Sequence, residues 1–267
     1  YMLRYIAGSN INHALTVGKK YINKNKKPII NYAVEGKNNY RKTYKEYNKI
    51  ISLLPENYSI ALKLSSFNFD SLSISDTINN ANNKNIKVFI DAESDKNNEI
   101  YQDISTDLLL KHRNVYKTYQ MYRKDSLNVL MSDIIKCNKT NIPFSGKLVR
   151  GAYWNTEKND GHLFIKKEDT DQSYNQAILN INNFEFNKHP NIVLATHNEK
   201  SIYIARLLNK DLFEFAHLQG MNESYYNNIC NTSNVYVYIP YGPYNEMIPY
   251  LSRRLYENID MLKYIIR

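Results

Sequence analysis

The chain has 267 residues, among them 8 Gly, 7 Pro and 2 Cys, and a formal charge of +9. That length is ample for a packed core and close to the usual size of a (β/α)8 barrel. Cys137 and Cys230 lie far apart and in no CxxC, which points to neither a disulfide framework nor a zinc site, and no apolar run nears the ~18 residues of a membrane helix. The lysines are scattered in short runs, so the positive charge reads as a solvated surface rather than a nucleic-acid footprint. The abundance of Asn, Lys, Ile and Tyr reads as the imprint of A/T-rich coding.

In chain order, a helix is expected at "SNINHALTVGKKYI", capped by Ser9 or Asn10, within an N-terminal helical segment, residues 1–27. Residues 28–267 then alternate short β-rich runs with helix-like stretches and read as one barrel domain. The runs are 28–35, 59–67, 86–94, 115–122, 144–153, 191–198, 213–220 and 235–242. Eight strands separated by helices imply parallel βαβ units that close into a TIM-type barrel. An open doubly wound sheet is the competitor, but the first strand ends "AVEGKNN" without a Gly-rich phosphate turn. Beyond the last strand, Met247, Ile248, Leu251 and Leu255 form an apolar helix stripe bordered by Arg254, which calls for an anion nearby.

In such barrels chemistry sits at the C-terminal strand ends. The polar residues there are Glu35, Lys63, Asp91, Glu93, Gln120, Lys147, Arg150, Thr196, His197, Asn198, His217 and Tyr238. The histidines form no HExxH or HxH pattern, so no metal centre is expected, and no GxSxG elbow offers a serine nucleophile. "GKLVRGAYW" has two readings: aromatics packed under a loop, or a flat ring system lying against Gly151-Ala152 beside Tyr153 and Trp154. An isoalloxazine suits the second.

"ALKLSSF", "FIDAES", "TYQMY", "GKLVRGAYW", "ATHNE", "LQGM" and "YIPYGPYNEMIPYLSRRLYEN", in that order, resemble the proline dehydrogenase family. "YIAGSNINHAL" and "NYAVEG" match more weakly, and "KLVRGAY" is similar to the eukaryotic-type branch. The resemblance implies a distorted (β/α)8 barrel that oxidises L-proline to Δ1-pyrroline-5-carboxylate. FAD takes the hydride and passes electrons to a quinone, at a mitochondrial inner-membrane surface in eukaryotes or peripheral to the membrane from the cytoplasm otherwise.

Carried over residue by residue, it implies Asp91, Lys63 and Lys147 as the catalytic constellation, with an ion pair between Lys63 and Asp91. It implies Lys63, Tyr238, Arg253, Arg254, Tyr153 and Leu218 around the substrate. Ala92, Gln120, Arg150, Gly151, Ala152, Trp154, Thr196, His197 and Glu257 would face the cofactor. Three departures stand out: Lys147 replaces an Arg of bacterial relatives, "DKNNEIYQ" replaces an aromatic-rich stretch, and Ala216-His217 stand where relatives place a glutamine. The remaining alternatives are a hydroxyproline dehydrogenase of the same family, a barrel enzyme using Lys63 or Lys147 covalently, and a non-catalytic basic binding module.

Overall fold

The computed structural model describes residues 2–33, 40–244 and 247. Eight strands form a closed parallel barrel in sequence order. They are β1 (Lys27–Tyr32), β2 (Ser59–Leu62), β3 (Lys87–Ile90), β4 (Val115–Gln120), β5 (Ser145–Val149), β6 (Asn191–Ala195), β7 (Phe213–Leu218) and β8 (Val235–Tyr241). Seven lie inside the β-rich runs singled out in the sequence, and β1 starts at Lys27, one residue ahead of its run. The barrel is a TIM-type fold.

The helices are α1 (Ile11–Ile22), α2 (Tyr40–Leu53), α3 (Ser71–Asn82), α4 (Asn98–Lys111), α5 (Ser126–Lys139), α6 (Trp154–Glu157), α7 (Lys167–Asn182), α8 (Glu199–Leu208) and α9 (Glu223–Ile229). Of the two candidate caps for α1, Asn10 fills the position, its side chain accepting from the His13 N–H. In α2 the buried residues Thr43, Tyr47, Ile50 and Ile51 recur at helical spacing and face the barrel, while lysines point outward.

The asparagines have a structural use that base composition hides. After α1, α3 and α5 the chain turns through Asn25, Asn85 and Asn141, with φ of 57°, 55° and 56°. In each case the next amide reaches back five residues: Lys26 to Tyr21, Ile86 to Ala81 and Ile142 to Cys137, at 2.9–3.0 Å. These are Schellman closures with Asn in the left-handed position that Gly more often fills. A chain with few glycines ends three helices this way, and each closure delivers the next strand.

Inside the barrel, Ile29, Ala61, Phe89, Tyr116, Val193, Ala216 and Tyr236 pack into one cluster. Phe89 and Tyr116 lie 4.5 Å apart by ring centroid, and Lys87 donates to the Tyr236 hydroxyl at 2.7 Å. This aromatic layer closes the N-terminal half of the barrel and leaves the opposite end for a site.

Outward-facing residues on and just before the strands meet the helices, and two of these contacts are ionic, each with a buried lysine. Lys117 of β4 pairs with Asp133 of α5 at 2.7 Å. Lys26 lies 3.3 Å from Glu223 of α9 and 3.3 Å from His217 Nε2. Burial, reinforced by the neighbouring Lys26, drives the His217 imidazole down to about 3, so it is neutral near pH 7. Its Nδ1 lies 3.0 Å from the Leu218 carbonyl, which leaves Nε2 to accept from Lys26. His217 therefore points away from the barrel interior, and Ala216 beside it faces inward.

Candidate active site

The open end of the barrel holds a cavity of about 540 Å³. Its floor comes from neighbouring strands. Leu62, Ile90 and Lys117 are register partners across β2, β3 and β4. One residue further, Lys63, Asp91 and Thr118 share a level, and Thr118 pairs with Lys147 of β5. Parity with the interior residues Ala61, Phe89 and Tyr116 turns these side chains inward.

Asp91 is the hub. Its Oδ1 accepts from Lys147 Nζ at 2.6 Å and its Oδ2 from the Tyr238 hydroxyl at 2.5 Å. Lys147 is buried, with its ammonium 5.4 Å from the Tyr238 ring centroid and 5.8 Å from that of Phe89. Lys63 instead donates to the Tyr153 hydroxyl at 2.9 Å. The expected Lys63–Asp91 ion pair is thus replaced by Lys147–Asp91, because Lys147 reaches across β4 to the acid. Glu93 is not a pocket group: buried, it accepts from the Ser65 amide at 2.9 Å and the Ser65 hydroxyl at 3.0 Å. It braces the turn that carries Lys63.

The wall above β5 is built from Arg150, Gly151 and Ala152. Gly151 has φ +142°, and a Cβ there would meet the Tyr122 ring at 2.4 Å, so the glycine is demanded by Tyr122 packing beneath it. Tyr122 is held by Glu157, which accepts its hydroxyl at 3.1 Å and the Asp95 amide at 2.7 Å. Burial pushes the Glu157 carboxyl above its ordinary range. Ala92, Gln120, Arg150, Gly151, Ala152, Thr196, His197 and Leu218, which the resemblance placed around cofactor and substrate, all line the cavity.

Trp154 does not. It starts α6, its indole donates to the Phe164 carbonyl at 3.0 Å, and Lys158 lies over its ring. The sequence signal of a lone tryptophan beside Gly-Ala belonged to loop packing. Arg253, Arg254 and Glu257 lie outside the described residues, as does Glu35.

Arg150 is clamped from three sides. It donates to Asp171 at 2.7 Å, to Ser201 at 3.1 Å and to the Thr196 hydroxyl, and it lies 4.4 Å from the Tyr174 ring centroid. Asp171 and Tyr174 belong to α7 and Ser201 to α8, a convergence no local spacing announces. Asp171 is held below its ordinary range: burial alone would raise it, and Arg150 and Lys167 outweigh that. Asn198, one of the polar strand-end residues singled out in the sequence, lines the rim as well, with Glu199 and Met221 from the quoted motifs and Lys167, which had no sequence signal. Among the described residues no cluster of His, Cys, Asp and Glu is placed to hold a metal ion.

A family model described as proline dehydrogenase matches residues 15–265. The chain belongs to the proline dehydrogenase family. Proline dehydrogenase 1, mitochondrial, of Dictyostelium discoideum is 28% identical over 200 residues, covering 66% of this chain and 35% of that protein. The Arabidopsis thaliana protein of the same name is 35% identical over 171 residues, covering 55% and 33% respectively. The chain thus spans about a third of the length of these relatives. Among solved structures, proline utilization A from Bdellovibrio bacteriovorus superimposes with a TM-score of 0.87. That match covers 96% of this chain and 32% of that one at 19% identity, so it is a likeness of fold.

Proposed function

We propose that this chain oxidises L-proline to Δ1-pyrroline-5-carboxylate with FAD as its resident cofactor, as one barrel domain over residues 1–267. The observation that carries the reading is the in-register row Lys63, Asp91 and Lys147 under Tyr238 at the barrel mouth, in a chain of this family. Oxidation removes a hydride from C5 and a proton from the ring nitrogen, which leaves the C=N bond of the product.

The residues present fit a flavin. Gly151 and Ala152 offer a wall without bulky side chains, Arg150 and Lys167 bring positive charge to the rim, and the Thr118 hydroxyl on the floor has no protein partner among the described residues. Ala92, Gln120, Arg150, Gly151, Ala152, Thr196 and His197 would hold it, with Glu257 beyond the described residues. When bound, a flavin supplies the two-electron acceptor. Lys147 carries a positive charge into the floor, and Asp91 neutralises and aims it. Lys63, Tyr153, Leu218 and, outside the described residues, Arg253 and Arg254 would hold the amino acid, the arginines by charge-assisted bonds to its carboxylate.

Electrons would pass on to a quinone at a membrane surface. The positive charge of the chain suits an acidic lipid face, and the relatives above are mitochondrial by name. No helix among the described residues is long and apolar enough to cross a membrane. The lysine-dependent alternative is weaker: Lys147 is bonded to Asp91 and Lys63 to Tyr153, so neither amine is presented to a carbonyl.

The Tyr238 ring, anchored through its hydroxyl to Asp91, fills the space a 4-hydroxyl group would need. Turnover of L-proline and 4-hydroxyproline with an artificial electron acceptor tests the reading. Wild type should use proline, and Tyr238→Ser should raise the hydroxyproline-to-proline ratio of kcat/KM by about tenfold or more. An unchanged ratio would remove Tyr238 from the substrate wall, and no turnover of either compound would overturn the proposed function.

A further inference from the structure

On β4 the inward-facing residues are Tyr116, Thr118 and Gln120. Tyr116 belongs to the aromatic layer, and Gln120 lines the cavity and donates to Tyr122. Thr118 lies between them, 3% exposed, and it too lines the cavity. Its backbone is tied down on both sides of the peptide: the amide donates to Tyr101 Oη at 3.1 Å, and the carbonyl accepts from the same hydroxyl at 2.7 Å. Its side-chain Oγ1 has no hydrogen-bond partner among the described residues.

That is an unusual residue to find here. Valine has nearly the same shape and equal or better preference for a strand, and would leave no unsatisfied hydroxyl. The adjoining ion pair does not use the hydroxyl either, since Lys147 and Asp91 meet directly at 2.6 Å. Neither packing nor the local electrostatics of the protein explains the buried oxygen, and the residue that carries it lines the cavity where the proposed cofactor would bind.

We propose that Thr118 is a cofactor-contact residue whose hydroxyl hydrogen-bonds the polar edge of the flavin ring, next to the amide of Gln120. The assignment rests on the flavin reading above. It makes two effects of one substitution run in opposite directions. In the protein without flavin, the orphaned hydroxyl weakens the fold, so Thr118→Val should leave Tm unchanged or raise it by about 2–4 °C. In the loaded protein the same change removes a hydrogen bond, so the Kd for FAD should rise by about tenfold. Thr118→Ser, which keeps the oxygen, should bind FAD within about threefold of wild type.

The experiment is a fluorescence titration of FAD into wild type, Thr118→Val and Thr118→Ser, with thermal melts of each flavin-free protein and visible spectra of each loaded one. Weaker FAD binding and a shifted flavin band in Thr118→Val, with no loss of apo Tm and with rescue by serine, is the expected result. Equal Kd and spectrum for Thr118→Val would overturn the contact. A drop in apo Tm would overturn the premise that the hydroxyl is unpartnered. Failure of wild type itself to bind FAD would be a failure of the flavin reading, distinguishable from either.

Discussion

Asp91→Asn is expected to lower kcat/KM for L-proline by about two to three orders of magnitude with flavin still bound. The carboxylate has two partners, Lys147 at 2.6 Å and Tyr238 at 2.5 Å, and the Lys147 side chain is only 6% exposed. An asparagine can accept from one of them through its single oxygen, and it carries no charge. Lys147 would then be a buried ammonium without a counter-charge, a situation that costs about 3–5 kcal/mol when one partner of a buried pair is removed. It would swing toward the cavity or draw in water, and Tyr238 would lose its anchor. At about 1.4 kcal/mol per factor of ten, the expected loss in rate corresponds to about 3–4 kcal/mol of lost transition-state stabilisation from the displaced Lys147 and Tyr238. Steady-state kinetics and the flavin-to-protein absorbance ratio check it. The double variant Asp91→Asn with Lys147→Met should recover thermal stability and stay inactive. A single variant within about threefold of wild-type kcat/KM would show that the pair is structural only.

The second large effect concerns the fold. Asp133 sits on the buried face of α5 and accepts from Lys117 at 2.7 Å, from the Tyr119 hydroxyl at 3.0 Å and from the Thr106 hydroxyl at 3.3 Å. The side chains of Lys117 and Asp133 are 0% and 2% exposed. Burial lowers the Lys117 ammonium from its ordinary range, and Asp133 offsets part of that. Asp133→Leu should therefore cost about 3–5 kcal/mol, a drop in Tm on the order of 10 °C for a chain of this size. Lys117→Met should cost a similar amount. The double variant should regain more than half of the loss, because it buries no lone charge; Tyr119 and Thr106 would still lack their acceptor. Differential scanning calorimetry reads all four proteins. Additive losses in the double variant would contradict the account, since they would mean that the two charges do not depend on one another.

The barrel was legible in the sequence because eight β-rich runs separated by helical periodicity leave few topologies. Strand-end polarity pointed to Asp91, Lys63, Lys147, Gln120 and Thr196, and all of them converge on one cavity. What the sequence did not carry was partnership. Lys63 lies beside Asp91 in strand order, yet Lys147 takes the acid from two strands away, a choice made by side-chain reach across the barrel. Arg150 was expected only to face the cofactor, and its clamp by Asp171, Thr196 and Ser201 comes from later parts of the chain. Trp154 carried a strong local signal that belongs to the packing of the segment up to Phe164. Thr118 carried almost none, because an interior Thr and an interior Val look alike until the hydroxyl is seen without a partner. The C-terminal arginine pair remains an expectation from the sequence, since Arg253 and Arg254 lie outside the described residues.

The most direct test is the visible spectrum of the full chain purified with added FAD, recorded without oxygen before and after L-proline. The account predicts a yellow protein whose long-wavelength flavin band bleaches on addition of proline. A protein that takes up no flavin, or a bound flavin that proline leaves fully oxidised, would contradict it.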